Sequence, residues 1–164
     1  GTHIPVTAAD LDAEPFRRLM ETNVMGTVYG LTNLLPIMRR RGSGHIAVVS
    51  SLAGYRGLPT SAAYGASKAA LINMCEALRP ESDAMGIKLQ VITPGFVETP
   101  LTHQNDFKMP FLVTVDEATD QIMRGLASDR FEVSFPRSFA LIMKALRILP
   151  DRLFFVVTRR MIKP

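Results

Sequence analysis

Three polar side chains in the middle of the chain are spaced so that they could serve one reaction. They are a hydroxyl at Ser51, a phenol at Tyr64 and an ammonium group at Lys68. A phenol with an ordinary pKa of about 10 is a poor acid or base at neutral pH. Tyr64 and Lys68 share one face of a helix at a spacing of four residues, and a neighbouring cation lowers the pKa of a phenol. Ser51 could donate to a carbonyl oxygen that gains negative charge.

This set of groups suits the reduction of a carbonyl or the oxidation of an alcohol. Such a reaction also needs a hydride donor, which protein side chains cannot supply. Ser51 follows the apolar run 45–50, which is typical of a parallel strand covered on both faces, and a second strand at 87–93 ends in Pro94-Gly95. Ligands of parallel sheets bind beyond the carboxyl ends of the strands. The two strand ends therefore predict where the site lies.

The rest of the chain alternates between helical and extended patterns. This alternation predicts an α/β fold with a doubly wound parallel sheet and right-handed crossovers. We expect the first helix to kink near Pro36, which has no N–H to donate, and a capping box to open a helix at Thr114. The predicted helices cover about 13–41, 62–84, 114–128, 138–149 and 152–162, and the predicted strands cover 45–50, 87–93 and 131–135.

The segment 95–113 has no clear period, and a loop of this length is usually a lid or a binding loop. Its stretch Met109-Pro-Phe-Leu112 could line a hydrophobic substrate pocket or pack beneath its own loop. His103 in the same segment is better interpreted as a solvated loop histidine than as a substrate contact.

Composition narrows the class of protein. A chain of 164 residues that is 47% apolar can form one domain with its own core. Its apolar runs are shorter than the ~20 residues of a membrane span. The single cysteine, Cys75, excludes an intrachain disulfide and indicates a reducing, cytoplasmic location. The three histidines lack the spacing of metal ligands, so we predict no metal site.

Charge is concentrated at the C-terminus. Residues 136–164 carry seven basic side chains and one acid, Asp151, which leaves −2 for the rest of a chain whose total is +4. We interpret 137–164 as a basic, apolar helical extension. It could be a solvated face, a subunit interface or a surface for peripheral membrane contact; nucleic-acid binding is not predicted.

Four motifs occur in an order and approximate spacing that belong to a known family. They are Asn23-Val-Met-Gly26, the strand that ends at Ser51, Tyr64-x-x-x-Lys68, and Pro94-Gly95-Phe-Val-Glu-Thr99. With these motifs the chain resembles the classical short-chain dehydrogenases/reductases over roughly residues 1–100. A Tyr-x-x-x-Lys pair alone is a weak signal, and the four motifs together are a strong one.

The resemblance implies a role for each polar residue of the motifs. Tyr64 would be the general acid/base, and Lys68 would lower its pKa and hold the ribose hydroxyls of a nicotinamide nucleotide. Ser51 would orient the substrate oxygen. Asn23 would support a water through which Lys68 reaches bulk solvent.

The resemblance also implies a cofactor wall at the end of the second strand. Pro94 and Gly95 would let the backbone approach the nicotinamide, while Val97 and Thr99 would bind its carboxamide and the nearby phosphate. The expected cofactor is NADP in preference to NAD. The expected protein is a homo-oligomeric oxidoreductase that interconverts a small-molecule carbonyl and an alcohol, with an apolar substrate. A non-catalytic nucleotide-binding or regulatory protein and a membrane-surface interaction module are the alternatives.

One part of the family pattern is absent from this sequence. The family's N-terminal half carries the glycine-rich turn for the pyrophosphate, and Gly1 resembles the last glycine of the family's Asn-Ala-Gly segment. The strands against which 45–50 should pair would be missing, and the exposed edge should cause aggregation. We therefore expect one Rossmann-like domain over 1–164 that is incomplete at its N-terminus and belongs to a longer protein.

Overall fold

A computed structural model describes residues 1–102 and 109–162, so His103 and Lys163 lie outside the described residues. The chain forms six α-helices and three β-strands in these ranges. A π-helical segment, Met20–Met25, joins the first two helices, and a 3₁₀ turn, Leu52–Gly54, follows the first strand. The helices are α1 (Ala13–Leu19), α2 (Gly26–Arg41), α3 (Ala62–Ala84), α4 (Val115–Leu126), α5 (Arg137–Ile148) and α6 (Asp151–Arg159), and the strands are β1 (Gly44–Val49), β2 (Ile87–Pro94) and β3 (Glu132–Phe135).

The three strands form a parallel sheet in the order β1-β2-β3 with helices on both faces. Val48 lies beside Val91 in the register, and both are buried in a core shared with α3 and α5. On the opposite face, Ile92 lies beside Val133, and both pack against Ala118 of α4. The prediction of a doubly wound, Rossmann-like α/β fold is confirmed.

Strand β1 lies at one edge of the sheet, and one of its two side-chain faces is exposed. In the described part of the chain, β1 pairs with β2 alone. Alternate residues of β1 are exposed, including Ala47 and Val49, and the Val49 side chain is 55% exposed. An apolar strand face of this kind is normally buried in a parallel sheet. In the described residues, β1 therefore presents both an unpaired backbone edge and an uncovered side-chain face.

The first helical region departs from α geometry at a place the sequence did not indicate. The predicted helix over 13–41 forms as α1, the π-helical segment and α2, and it continues through Pro36 to Arg41. Within the π-helical segment, the N–H of Gly26 donates to the carbonyl of Glu21, five residues earlier. π segments occur often at functional sites. Here the segment contains Asn23, whose side chain is buried.

The sequence located several helix ends correctly. The predicted capping box at Thr114 is present, with the Thr114 Oγ1 accepting from the N–H of Glu117 at 3.2 Å. Gly42 ends α2 with a positive φ of 65°. Gly86, after α3, also has a positive φ, and a Cβ there would lie 2.3 Å from the Gly42 carbonyl oxygen. A glycine is therefore required where the two turns meet.

Candidate active site

The structure brings Ser51, Tyr64 and Lys68 together at the carboxyl end of β1. Ser51 caps the 3₁₀ turn after the strand, because its Oγ accepts from the N–H of Ala53 at 3.2 Å. The Ser51 hydroxyl also hydrogen-bonds with the Tyr64 side chain. The Lys68 Nζ lies 5.7 Å from the centroid of the Tyr64 ring. A hydroxyl, a phenol and an ammonium group therefore share one small region.

Lys68 is buried, and its ammonium group donates a hydrogen bond to a neutral backbone oxygen. The residue is 6% exposed, and its Nζ donates to the carbonyl of Val49 at 3.1 Å. Burial lowers the pKa of Lys68 to about 8. The Ser50 Oγ donates to the backbone carbonyl of Lys68 at 2.8 Å, so a second bond joins the strand end to α3. These bonds fix the position of Lys68 against β1.

The pKa of Tyr64 moves in the opposite direction from the one the sequence suggested. Burial raises it, and the hydrogen bond from Ser51 offsets only part of that effect. The ring of His3 packs edge-on against the Tyr64 ring at 4.9 Å and adds to its burial. Burial and the Ser51 hydroxyl, and not the Lys68 ammonium group, determine the direction of this shift in pKa. The expectation of a lowered pKa for Tyr64 is therefore wrong.

Asn23 makes hydrogen bonds to the N-terminal segment and to α3. Its Oδ1 accepts from the Thr2 N–H at 2.8 Å, and its Nδ2 donates to the Thr2 carbonyl at 3.0 Å. The same Nδ2 donates to the Ser67 Oγ at 3.1 Å. Ser67 directly precedes Lys68 in α3. Asn23 therefore positions the chain immediately around Lys68, which the sequence did not indicate.

The expected cofactor wall begins where β2 ends. The Ser51 Oγ lies 3.4 Å from the Pro94 carbonyl oxygen, which brings the ends of β1 and β2 together. Gly95 donates from its N–H to the Phe135 carbonyl at 2.7 Å. Val97 forms an isolated parallel bridge with Val113. The Thr99 N–H donates to a hydroxyl of its own loop, the Thr102 Oγ1, at 2.9 Å.

Gly95 also lies against α5, where a side chain at this position would have to displace Phe139. A Cβ at this position would lie 2.8 Å from the Cδ1 of Phe139. The Phe139 ring is stacked between Phe96, at 5.6 Å between centroids, and Phe111, at 5.7 Å. Phe111 and the neighbouring Leu112 are exposed. The apolar stretch at 109–112 thus packs against α5 through Phe111 and still presents an apolar surface.

Sequence reasoning missed Gly54, which controls how closely the Ser51 loop approaches α3. A Cβ on Gly54 would lie 2.8 Å from the backbone carbon of Lys68 and 2.9 Å from the N of Ala69. Both atoms belong to the helix backbone, which cannot move aside as a side chain can. The glycine-rich composition of this loop was visible in the sequence, but its contact with α3 was not.

A buried polar network beside the site was also missed. The Tyr55 hydroxyl hydrogen-bonds with the carboxylate of Glu132 and lies 3.2 Å from the Thr93 Oγ1. Lys144 of α5 pairs with Glu132 at 2.5 Å. Burial and the Glu132 carboxylate raise the pKa of Tyr55, so this phenol stays protonated. The network joins β2, β3 and α5 through groups that are far apart in the sequence.

Arg56 connects the loop after Ser51 to the C-terminal helices. Its guanidinium donates to the carbonyls of Leu146 and Leu149, at 2.7 and 2.5 Å, and pairs with Asp151 at 2.5 Å. It also lies over the ring of Phe154, 3.9 Å from the centroid. Neither the spacing nor the composition around Arg56 distinguishes it from an ordinary surface arginine.

Two negative findings concern other kinds of site. Within residues 1–102 and 109–162, no group of three or more histidine, cysteine, aspartate or glutamate side chains is placed to hold a metal ion. None of the helices in these ranges has the length and apolar character needed to span a bilayer.

Comparison with known proteins identifies similar sequences and folds. A family model described as short chain dehydrogenase matches residues 1–109. An uncharacterized oxidoreductase of Myxococcus xanthus is 41% identical over 154 residues, which cover 94% of this chain and 61% of the relative. The human 17-beta-hydroxysteroid dehydrogenase 13 is 26% identical over 162 residues, covering 97% of this chain and 54% of the relative. The crystal structure of a short chain dehydrogenase from Burkholderia cenocepacia in complex with NADP superimposes with a TM-score of 0.82 at 25% identity, covering 100% of this chain and 66% of that one.

Proposed function

This chain belongs to the short chain dehydrogenase family, and from its site we propose that it carries the proton-transfer half of an NAD(P)-dependent oxidoreductase that interconverts a carbonyl and an alcohol. The observation that carries the proposal is the convergence of Ser51, Tyr64 and Lys68 at the carboxyl ends of β1 and β2. The chain spans 61% of the length of its Myxococcus xanthus relative. The activity is therefore proposed for the whole protein.

Tyr64 is the proposed general acid/base. In the reduction it donates its phenolic proton to the substrate oxygen, and in the oxidation it accepts that proton back. Burial raises its pKa, which favours the protonated form that a reduction requires. Ser51 shares a hydrogen bond with Tyr64, so its hydroxyl can orient the same substrate oxygen.

Lys68 and Asn23 are proposed to support Tyr64. An ammonium group has three donors, and in the described residues the Val49 carbonyl takes one of those of Lys68. The others fit the ribose hydroxyls of a nucleotide. Asn23 hydrogen-bonds with Thr2 and with Ser67, the residue before Lys68, and the water-supporting role implied by its family remains a proposal.

NADP, in preference to NAD, is the proposed cofactor, and it would supply the hydride. The related structure from Burkholderia cenocepacia contains NADP, which supports the preference. Gly95 is proposed to leave the backbone at the end of β2 open to the nicotinamide; the space that a Cβ would take is filled by the Phe139 ring. Pro94, Val97 and Thr99 complete the proposed cofactor wall beside it.

The proposed substrate is an apolar ketone, aldehyde or alcohol. Phe111 and Leu112 present exposed apolar surface in the loop that follows the cofactor wall. Phe111 is held by its stack on Phe139. Apolar side chains next to a few polar groups are typical of small-molecule sites. A bulky apolar group on the substrate would cover this surface.

The remaining proposals concern the whole protein. We propose a single Rossmann-like domain that includes residues 1–164, a cytoplasmic location and a homo-oligomeric state. Peripheral membrane contact through the C-terminal extension, residues 137–164, is developed in the next subsection.

The test is turnover by the full-length protein. NADPH and NADH are supplied separately with a series of ketones and aldehydes of increasing apolar size, and the loss of reduced-nicotinamide absorbance is followed. We expect turnover with NADPH and higher kcat/KM for the larger apolar substrates. Nucleotide binding without turnover across the series would overturn the proposal and favour the non-catalytic, nucleotide-binding alternative.

A further inference from the structure

The C-terminal helix α6 presents bulky apolar side chains to solvent between arginines. Leu153, Phe155 and Val156 are 55%, 54% and 49% exposed, whereas Phe154 and Thr158 are buried beneath them. The positions opposite the buried side chains form what we call the outer face of α6. This outer face consists of Arg152, Leu153, Phe155, Val156, Arg159 and Arg160, and all six side chains are exposed.

We propose that the outer face of α6 binds the interfacial region of an anionic lipid membrane. An amphipathic helix with apolar side chains and arginines can lie in the plane of such an interface. The apolar side chains enter the acyl boundary, and the long arginine side chains extend their guanidinium groups to lipid phosphates. Because α6 spans only nine residues, this surface lies on a membrane and does not cross it.

The positive charge of the outer face favours binding to an anionic partner. Among the described residues, Arg152, Arg159 and Arg160 form no ion pair. The acid of α6, Asp151, is already paired with Arg56 at 2.5 Å. The face therefore carries three positive charges without a carboxylate to balance them. A negative surface potential attracts such charges.

The same charges argue against the other occupants of this surface. A second copy of the chain would bring the arginines of two outer faces together without an acid between them, and like charges repel. A nucleic acid would use the arginines for its phosphates but would leave Leu153, Phe155 and Val156 against a polar backbone. A lipid interface accommodates both kinds of side chain.

Arg56 holds the outer face on the body of the protein. Its guanidinium donates to the Leu149 carbonyl, pairs with Asp151 and lies over Phe154, whose side chain anchors the inner face of α6. Arg56 also belongs to the loop that begins at Ser51. The outer face is thus a fixed surface of the folded chain. The proposal rests on this geometry and on charge, and it does not depend on the proposed catalytic roles.

The experiment measures co-sedimentation of the full-length protein with lipid vesicles. One set of vesicles is phosphatidylcholine alone, and the other contains phosphatidylcholine with phosphatidylglycerol. We expect binding to the anionic vesicles that weakens as salt is added. Substitution of Arg152→Gln, Arg159→Gln and Arg160→Gln together should weaken it by roughly fivefold per arginine, or on the order of 10²-fold.

A matched control removes the same charge elsewhere. Arg39, Arg40 and Arg41 form an exposed cluster at the end of α2, and their triple substitution by Gln should leave vesicle binding within about twofold of the unchanged protein. A second variant, Leu153→Ser with Phe155→Ser, keeps every charge and should lose most of the binding. Both positions are exposed, so circular dichroism should show an unchanged fold.

Several results would overturn the proposal. One is no binding to anionic vesicles, and another is an equal loss in the α2 control, which would indicate general charge attraction. A change of oligomeric state in the Leu153→Ser, Phe155→Ser variant, measured by sedimentation velocity, would assign the face to a subunit interface. Competition by duplex DNA that releases the protein from vesicles, together with unchanged vesicle binding by the Leu153→Ser, Phe155→Ser variant, would assign the outer face to nucleic-acid binding.

Discussion

Lys68 and Arg56 are both cations that donate hydrogen bonds to backbone carbonyl oxygens. They differ in burial and in whether an opposite charge lies beside them. Lys68 is buried beside Tyr64, and its ammonium group donates a hydrogen bond to the neutral carbonyl of Val49. Arg56 joins its loop to the helix pair α5–α6 and has a carboxylate, Asp151, and an aromatic ring as partners.

The difference separates a functional cation from a structural one. Burying a charge without an opposite charge costs free energy, and the pKa of Lys68 is lowered to about 8 for that reason. Charged hydrogen bonds from a guanidinium to several acceptors stabilise a fold. We therefore expect substitutions around Lys68 to change activity more than stability, and substitutions at Arg56 to do the reverse.

The largest effect should come from Tyr64→Phe, which tests the functional side of the comparison. Removing the proposed acid/base should lower kcat by on the order of 10²- to 10⁴-fold. The free energy of unfolding should change by only about 1 kcal/mol, since one hydroxyl is lost. Steady-state kinetics and urea unfolding of the full-length protein measure the two quantities.

Tyr55→Phe is the matched control for this variant. Tyr55 is also a buried tyrosine with a raised pKa, but it hydrogen-bonds with Glu132 outside the proposed site. Its substitution should lower stability by about 1–2 kcal/mol with kcat changed less than about threefold. Full activity in Tyr64→Phe, or an equal loss of kcat in both variants, would contradict the assignment of Tyr64.

Arg56→Ala tests the structural side of the comparison. Loss of its bonds to Leu146, Leu149 and Asp151 should lower the free energy of unfolding by about 2–4 kcal/mol. The amides of α6 should then exchange hydrogen faster than those of α3, because the helix pair loses its attachment first. Hydrogen exchange read by mass spectrometry measures this order.

Asp151→Asn gives a graded version of the same test. It removes only the ion pair, whose carboxylate is 83% exposed, so the expected loss is about 0–1 kcal/mol. A loss as large as that of Arg56→Ala would show that the ion pair, and not the bonds to the carbonyls, holds α6. Unchanged exchange of α6 in Arg56→Ala would contradict the structural role itself.

Gly54→Ala should affect both regions, since Gly54 lies between Ser51 and Arg56 along one loop. The new methyl group would meet the backbone of α3 at Lys68 and Ala69. We expect a loss of about 1–3 kcal/mol in stability from overpacking, together with a fall in kcat as Ser51 moves away from Tyr64. Gly57→Ala is the control, because a Cβ there meets no atom within 4 Å. Equal behaviour of the two variants would rule out the close contact.

The sequence predicted the elements more fully than the contacts between them. Apolar periodicity and capping residues located β1, α3 and the start of α4, because these signals act within a few residues. The π-helical segment around Asn23 was not predicted, and the bonds of Asn23 reach Thr2 and Ser67, which lie 21 and 44 positions away. Arg56 was missed for the same reason. Its partners lie about ninety positions further on.

The pKa of Tyr64 shows a further limit of sequence reasoning. The spacing from Tyr64 to Lys68 was correct, and it placed the two side chains on one face of α3. The spacing did not show that Lys68 donates to Val49 or that burial dominates the pKa of the phenol. Motifs therefore located the residues, while their protonation depends on packing by distant parts of the chain.

The last predicted effect is a gain of stability in Lys68→Met. Below pH 8 the ammonium group is charged in both the folded and the unfolded chain, so the folded protein bears the full cost of burying it. Between pH 8 and the usual lysine pKa of 10.5 the folded chain binds fewer protons than the unfolded one, so the stability of the unsubstituted protein rises with pH. At pH 7 the variant should be more stable by about 1–2 kcal/mol, once the lost bond to Val49 is deducted. This advantage should shrink as the pH rises from 8 to 10.5. Urea unfolding across that range measures it, with Lys88→Met in β2, where the side chain is 27% exposed, as the control. A Lys68→Met variant that is less stable than the unsubstituted protein at pH 7 would mean that Lys68, like Arg56, stabilises the fold.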